Sequence, residues 1–282
     1  MVKQTTKQQT LCDLCNFKGV GIHSGKAVNL NLYPSLPNTG IIFIRTDLDR
    51  IEIPVSPKTL CHTNRATHLK YNGATVRTPE HLLAALYGLG IHNCVIELDA
   101  EEVPILDGSA RSFVEKIEAV GIDKQGATIT PVKVADTIKV GSDQSYILIE
   151  PDIGFTVSYT LSYPHSFVGT QKYEISITSR SFKDEISSAR TYGFESEISE
   201  LLKRGLAIGG SLDNAVVIGD NQYLNALRYP DELVRHKILD VIGDMAVLGT
   251  PIVGKVTAYK SGHELNAALV QAIYKQYLLG IV

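Results

Sequence analysis

The sequence predicts an α+β fold of two similar two-layer sandwich domains, on three observations. At about 150 residues per domain, a chain of 282 residues accommodates two cores. The first third alternates short β-rich runs with turns and changes to a helical period only near Thr78. After a polar stretch, strands followed by helices return, the order expected of a repeated α+β unit. The expected division is residues 1–125 and 126–282.

The strands of the first half are Ala27–Tyr33, Ile41–Arg45 and Ile51–Pro54, set apart by Pro34, Pro37, Asn38 and Gly40. In TPEHLLAALYGLG, Leu82, Leu83, Leu86 and Leu89 keep a helical spacing. Thr78 is placed to cap this helix, Pro79 suits its first position, Glu80 complements the dipole, and Gly88 or Gly90 ends it. A compact strand (Asn93–Leu98), the turn-rich VPILDGSA and a second helix over Ser112–Val120 follow. Gly121–Pro131, polar and closed by a proline, reads as the linker. Strands are then expected at Ile147–Pro151 and Phe155–Tyr163, followed by a glycine-rich stretch, a long helix over Asp231–Leu248 and a terminal strand–helix pair. In the long helix, Val234, Ile238, Val241, Ile242, Met245 and Leu248 share an apolar face. His236, Asp240 and Asp244, four residues apart, form a polar stripe on another side.

Charged residues at 20% and apolar ones at 44% give the balance of a globular chain and exclude a disordered or fibrous one. A net charge of −3 with no Lys/Arg run argues against nucleic acid as a partner. No apolar run approaches the ~18 residues of a membrane span, and MVKQTTKQQTLCDLC lacks the apolar region of a secretory signal, so a cytoplasmic location is expected. The four cysteines are too few for a disulfide framework. Cys12 and Cys15 are spaced C-x-x-C without the second pair of a zinc ribbon and read as incidental.

Eight histidines beside no tryptophan point to titrating or metal-binding chemistry. A catalytic zinc takes three ligands from His, Asp and Glu and keeps a fourth position open. His236 and Asp240 offer two on one helix face, although such a pair alone is a weak signal and a solvated face is the ordinary alternative. His81 is the natural third, because Glu80 beside it supplies a carboxylate able to accept a proton from water. A helix-terminal histidine bonded to backbone is its ordinary alternative. His263 is expected in a loop exposed by the Ser261–Gly262 turn, where Asp244 is able to pair with it and hold it protonated. The glycines of GGSLDNAVV read as backbone turns, since no GK[ST] follows, and Asp107 as a turn residue.

GVGIHSGK, TPEHLLAALYGLGI, VPILDGSA, ARTYGF, GLAIGGSLDNAVV, RHKILDVIGD and GHELN together resemble the bacterial UDP-3-O-acyl-N-acetylglucosamine deacetylases, the zinc amidases of lipid A biosynthesis. The resemblance runs from about Gly19 nearly to the C terminus. CDLCNFKG and the short tail after Asn266 depart from the family pattern. The likeness implies two α+β sandwiches whose helical layers face each other across the active-site cleft. It implies His81, His236 and Asp240 as metal ligands, Glu80 as general base, His263 as general acid, and Asp244 as the carboxylate orienting that acid. Lys237 matches a lysine near the active site, and Thr191 a hydroxyl holding the oxyanion. Phe194 and the helix Glu195–Lys203 match an insert, about 194–217, that forms a passage for the acyl chain. Beside this set, Lys260 is placed to contact the diphosphate and His23 to approach the cleft, each with a structural or solvated role as its alternative. Cys61 falls near a position that binds a second metal ion in some relatives, with His62 and His68 equally readable as surface residues.

The implied cofactor is zinc, with iron(II) also accommodated by a His2Asp set. The implied partner is a UDP-sugar bearing a 3-O-acyl chain, bound by a monomer without a membrane span. The competing function is a catalytically silent sugar-nucleotide or lipid-binding protein of the same fold, in which a general base has no use.

Overall fold

A computed structural model describes residues 5–61 and 65–280. The chain opens with β1 (Thr6–Leu11), β2 (Cys15–Val20), β3 (Ala27–Pro34), β4 (Ile41–Arg45) and β5 (Ile51–Pro54). A hairpin follows, β6 (His68–Tyr71) and β7 (Ala74–Arg77), then α1 (Glu80–Leu89), β8 (Cys94–Leu98) and α2 (Arg111–Val120). Strands β2, β3, β8, β4 and β5 form one sheet in that order, with β8 parallel to β4. Its strands alternate buried and exposed residues, as in β3, so one face meets a core that includes Leu30, Leu32, Leu82 and Leu86.

Gly121–Pro131 is not a linker. Ile122–Ile129 forms β9 and pairs antiparallel with β1 in a two-stranded ribbon. Its polar side chains read as loop because a ribbon of this kind has little to bury, and half-buried Ile122, Gln125, Ala127 and Ile129 carry what packing there is. The boundary expected between residues 125 and 126 therefore falls inside a strand.

The second half continues with β10 (Val132–Lys133), β11 (Ile138–Ser142), β12 (Ser145–Glu150), β13 (Phe155–Ser162) and β14 (Thr170–Ser176). Next come a short α3 (Ser179–Ser181) running into a π-helical turn, β15 (Tyr192–Phe194), α4 (Glu195–Lys203), β16 (Val216–Ile218) and α5 (Glu232–Ala246). The last elements are β17 (Ile252–Tyr259) and α6 (His263–Ile273), which runs into a π-helical turn over Tyr274–Leu278. The sheet order is β11, β12, β17, β13, β14, with β10 joined to β17. The fold is thus the expected α+β arrangement, with two large sheets and helices packed on them. No helix among the described residues is long and apolar enough to cross a membrane.

Two local expectations are corrected. Thr78 does not cap α1: its φ of 56° is left-handed, and its hydroxyl donates to Glu102 instead (3.1 Å). Gly90 does end the helix, with φ 73° and its N–H on the carbonyls of Leu86 and Tyr87. His263 is not in an exposed loop but is the first residue of α6, with its side chain 10% exposed.

Helices α1 and α5 cross where Gly243 meets the first turn of α1. A Cβ on Gly243 would collide with the Glu80 carbonyl oxygen, so the missing side chain is what allows the backbones to approach. That approach sets Glu80 and His81 beside the stripe on α5. Gly243→Ala is expected to destabilise the protein by at least about 1–3 kcal/mol, because the obstacle is backbone and cannot rotate away. A denaturation midpoint equal to that of the wild type would show that the crossing has room to spare.

Candidate metal centre and active site

The polar stripe of α5 is buried. His236, Asp240 and Asp244 are each 2–3% exposed, which excludes a solvated helix face. His81 on α1 lies opposite, with its Nε2 3.7 Å from Asp240 Oδ1, and His236 Nε2 is 3.3 Å from the same oxygen. Ligand atoms of His81, His236 and Asp240 lie within 4.8 Å of one another.

These residues fit a divalent cation on several counts. Asp240 Oδ1 is buried without a hydrogen-bond partner, a costly state for a carboxylate oxygen unless a cation faces it. The other oxygen, Oδ2, accepts from Lys237 Nζ at 2.6 Å. Burial alone would raise the Asp240 pKa, but the Lys237 ammonium beside it outweighs that and holds the carboxyl well below its usual range. Burial pushes His236 down to about 4, so its ring is neutral, as a ligand must be. Its Nδ1 lies 3.0 Å from the Ala189 carbonyl oxygen and donates to it, which leaves the Nε2 lone pair facing His81 and Asp240. Burial acts downward on Lys237 too, yet Asp240 wins and raises it, so the lysine is a fixed cation. The donor set of two imidazoles and a carboxylate suits zinc or iron(II).

Glu80 and His263 face each other beside this group, with Glu80 Oε1 3.8 Å from His263 Nε2. Burial pushes Glu80 up to about 7, against the opposing influence of His263 and His81. Burial would lower His263, but Asp244 and Glu80 outweigh it and hold the ring up at about 9. The main partner is Asp244, whose Oδ2 is 2.8 Å from His263 Nδ1. Asn266 Nδ2 donates to the same oxygen at 2.8 Å, and the Thr67 hydroxyl donates to Asp244 Oδ1. The Thr67 backbone N–H donates to Glu80 Oε2 at 3.2 Å. Two titratable groups with pKa values both raised, to about 7 and about 9, and both addressing one small space, suit general acid–base chemistry near neutral pH.

The space opens into a cavity of about 920 Å³. Thr191, Lys237, Lys260 and His23 all line it together with His81, His236 and Asp240. Thr191 is held in the wall through its backbone, donating to Gly108 O and accepting from Val216 N, both at 2.8 Å. The segment before it is clamped by a buried ion pair: Arg190 donates to Glu232 from its backbone N–H (3.0 Å), Nε (2.8 Å) and Nη2 (3.0 Å). The clamp also fixes the Ala189 carbonyl on His236. The His23 backbone N–H donates to Glu102 Oε1 (2.9 Å), while its Nδ1 accepts from Ala207 N (3.4 Å), so this histidine ties two loops together as well as lining the cavity. Burial lowers its pKa. Lys260 is exposed at the rim. Phe194 stands outside the lining, packed edge-on against Tyr163 at 5.0 Å, whereas Ile198 and Leu201 of α4 face the cavity with Leu161, Val217 and Leu224.

Sequence reasoning passed over Thr67, Asn266, Ala189 and the Arg190–Glu232 clamp. Asn266 sits in GHELN, a motif read for its histidine alone; the others carry no residue-type signal. Cys12 is exposed and Cys15 buried, both as free thiols. Cys61 touches His68 through backbone, its N–H donating to the His68 carbonyl at 3.0 Å, while His62 lies outside the described residues. Asp107 does make a turn, accepting from Ser109, and also pairs with Arg228 at 2.7 Å.

Residues 8–275 match the protein-family model described as LpxC: UDP-3-O-acyl N-acetylglycosamine deacetylase. The chain is 43% identical over 269 residues, 94% of its length and 86% of the relative's, to a UDP-3-O-acyl-N-acetylglucosamine deacetylase of Myxococcus xanthus (strain DK1622). It is 42% identical over 279 residues, 97% of its length and 90% of the relative's, to a protein of the same name from Haemophilus influenzae (strain 86-028NP).

Proposed function

The chain belongs to the UDP-3-O-acyl N-acetylglycosamine deacetylase family, and from that premise we propose that it hydrolyses the N-acetyl group of an acylated UDP-N-acetylglucosamine with zinc held by His81, His236 and Asp240. The products are acetate and the free 2-amine, in the cytoplasmic step of lipid A biosynthesis that the resemblance implies. The observation that carries this reading is the pair Glu80 and His263, 3.8 Å apart beside a three-ligand cluster at the foot of the cavity.

Zinc, when bound, supplies a Lewis acid that acidifies water and polarises the amide carbonyl. Glu80, poised by burial to hold a proton near neutrality, takes the proton from the attacking water. Thr191 offers its hydroxyl to the tetrahedral oxyanion, a contact of a type worth about 3 kcal/mol. His263 donates a proton from Nε2 to the departing nitrogen, since Asp244 holds its other ring nitrogen. Lys237 keeps Asp240 ionised and oriented. Lys260 and His23 stand where the diphosphate end would lie, and the apolar wall of α4 takes the acyl chain while Phe194 packs against Tyr163 of the lining.

Metal-loaded protein is expected to release acetate from the acylated sugar nucleotide, to stop when a chelator strips the ion, and to recover on zinc addition. Binding of the substrate without acetate release would leave only the silent-binder reading. The pH profile adds a narrower test. His263 acts while protonated and its pKa is raised, so activity falls as pH rises through about 9, whereas Glu80 acts while ionised and sets the acid limb near 7. Asp244→Asn removes the charge that opposes burial, and should bring the alkaline limb down by roughly one to three pH units. An unmoved limb would take His263 out of the acid role.

A further inference from the structure

We infer that Thr67 is a positioning residue for this reaction, linking the base and the acid through hydrogen bonds to both sides. The inference rests on Glu80 being the base and His263 the acid. Thr67 is 1% exposed and lies 13 residues before Glu80 and 177 before Asp244 in sequence, yet it is bonded to both. Its backbone N–H holds Glu80 Oε2, and its hydroxyl holds Asp244 Oδ1. The hydroxyl oxygen also lies 3.4 Å from His263 Nδ1.

A hydroxyl has one proton to give. An ionised carboxylate accepts only, so that proton goes to Asp244, and the His263 Nδ1–H is left to the other carboxylate oxygen at 2.8 Å. Asn266 Nδ2 shares that second oxygen, and its own Oδ1 accepts from Ser261 Oγ at 3.0 Å. Both Asp244 oxygens are then satisfied, which fixes the plane of the carboxylate and hence the ring of His263. The ring's Nε2 is thereby aimed at Glu80. Thr67 is itself anchored independently of its side chain, because its carbonyl accepts from Thr78 N at 3.0 Å. Removing the hydroxyl leaves the loop in place and strips one donor from a buried carboxylate.

Thr67→Val conserves shape and the backbone bond to Glu80, while Thr67→Ser restores the hydroxyl. The metal-loaded wild type, both variants, Thr67→Ala, Asp244→Asn and the Thr67→Val/Asp244→Asn double variant are compared on the acylated sugar nucleotide. Thr67→Val should lose roughly 10- to 100-fold in kcat, the size of a lost bond to a charged group, with KM and metal content little changed. Thr67→Ser should recover most of that loss, and Thr67→Ala should resemble Thr67→Val even if the valine packs badly. Groups that act as a unit are non-additive, so Thr67→Val should cost little more once Asp244 is Asn. Wild-type kcat in Thr67→Val, or full additivity with Asp244→Asn, overturns the inference. A second readout needs no turnover: the His263 Nδ1 proton resonance, assigned by its loss in His263→Ala, should move in Thr67→Val and return in Thr67→Ser. An unmoved resonance also overturns it. A wild type that releases no acetate removes the functional reading instead, and the resonance still decides the role of Thr67.

Discussion

Glu80→Gln is expected to keep the fold and the bound metal and to lose about 10²- to 10⁴-fold in kcat, the contribution typical of a general base. The amide has the shape of the carboxylate and can still accept the Thr67 N–H, but it cannot take a proton from water. The variant also removes the strained feature of the site, a fully buried carboxyl whose pKa is pushed up to about 7. Its apo form should therefore be at least as stable as the wild type near neutral pH and above, where burying an ionised Glu80 is costly. Metal content, kcat and a denaturation midpoint check the three parts. A variant with normal metal and normal turnover would remove Glu80 from the chemistry.

The second large effect is expected at Asp240. Asp240→Ala should lose the metal and with it turnover, whereas His263→Ala should lose turnover and keep the metal. The stability of the apo protein separates a ligand from a bystander further. Lys237 is bonded to Asp240 at 2.6 Å with side chains only 15% and 4% exposed, so deleting the carboxylate strands a buried cation, typically at a cost of about 3–5 kcal/mol. Elemental analysis with chemical denaturation reads both. Equal metal content in Asp240→Ala and His263→Ala would contradict the division of labour between them.

Much of this site was legible because helical spacing translates directly into geometry. His236, Asp240 and Asp244 at intervals of four had to share a face, and only burial was needed to turn a stripe into two candidate ligands and a partner for His263. His81 was harder, since its approach to α5 depends on a glycine 162 positions away that carries no chemical label of its own. Thr67 and the Ala189 carbonyl were invisible for the same reason: a hydroxyl and a backbone oxygen become functional only through contacts across the chain. In the fold, Ile41–Arg45 and Ile51–Pro54 read correctly because short β-rich runs bounded by turn residues marked them as strands. The hairpin of β6 and β7 was signalled by Asn72-Gly73, both with positive φ, but its strands are only four residues long. The β1–β9 ribbon was missed because its stabilisation is mostly backbone pairing, which composition does not record.

In the proposed reading, α1 and α5 together hold a metal that Glu80 and His263 serve. A crystal structure of zinc-loaded protein, with anomalous data at the zinc edge, tests it most directly. The expected peak lies at about 2.0–2.2 Å from one nitrogen each of His81 and His236 and an oxygen of Asp240, with the Glu80 carboxylate facing the open position. A peak at Cys12 and Cys15, or at Cys61 and His68, with His81, His236 and Asp240 left without an ion, would contradict it.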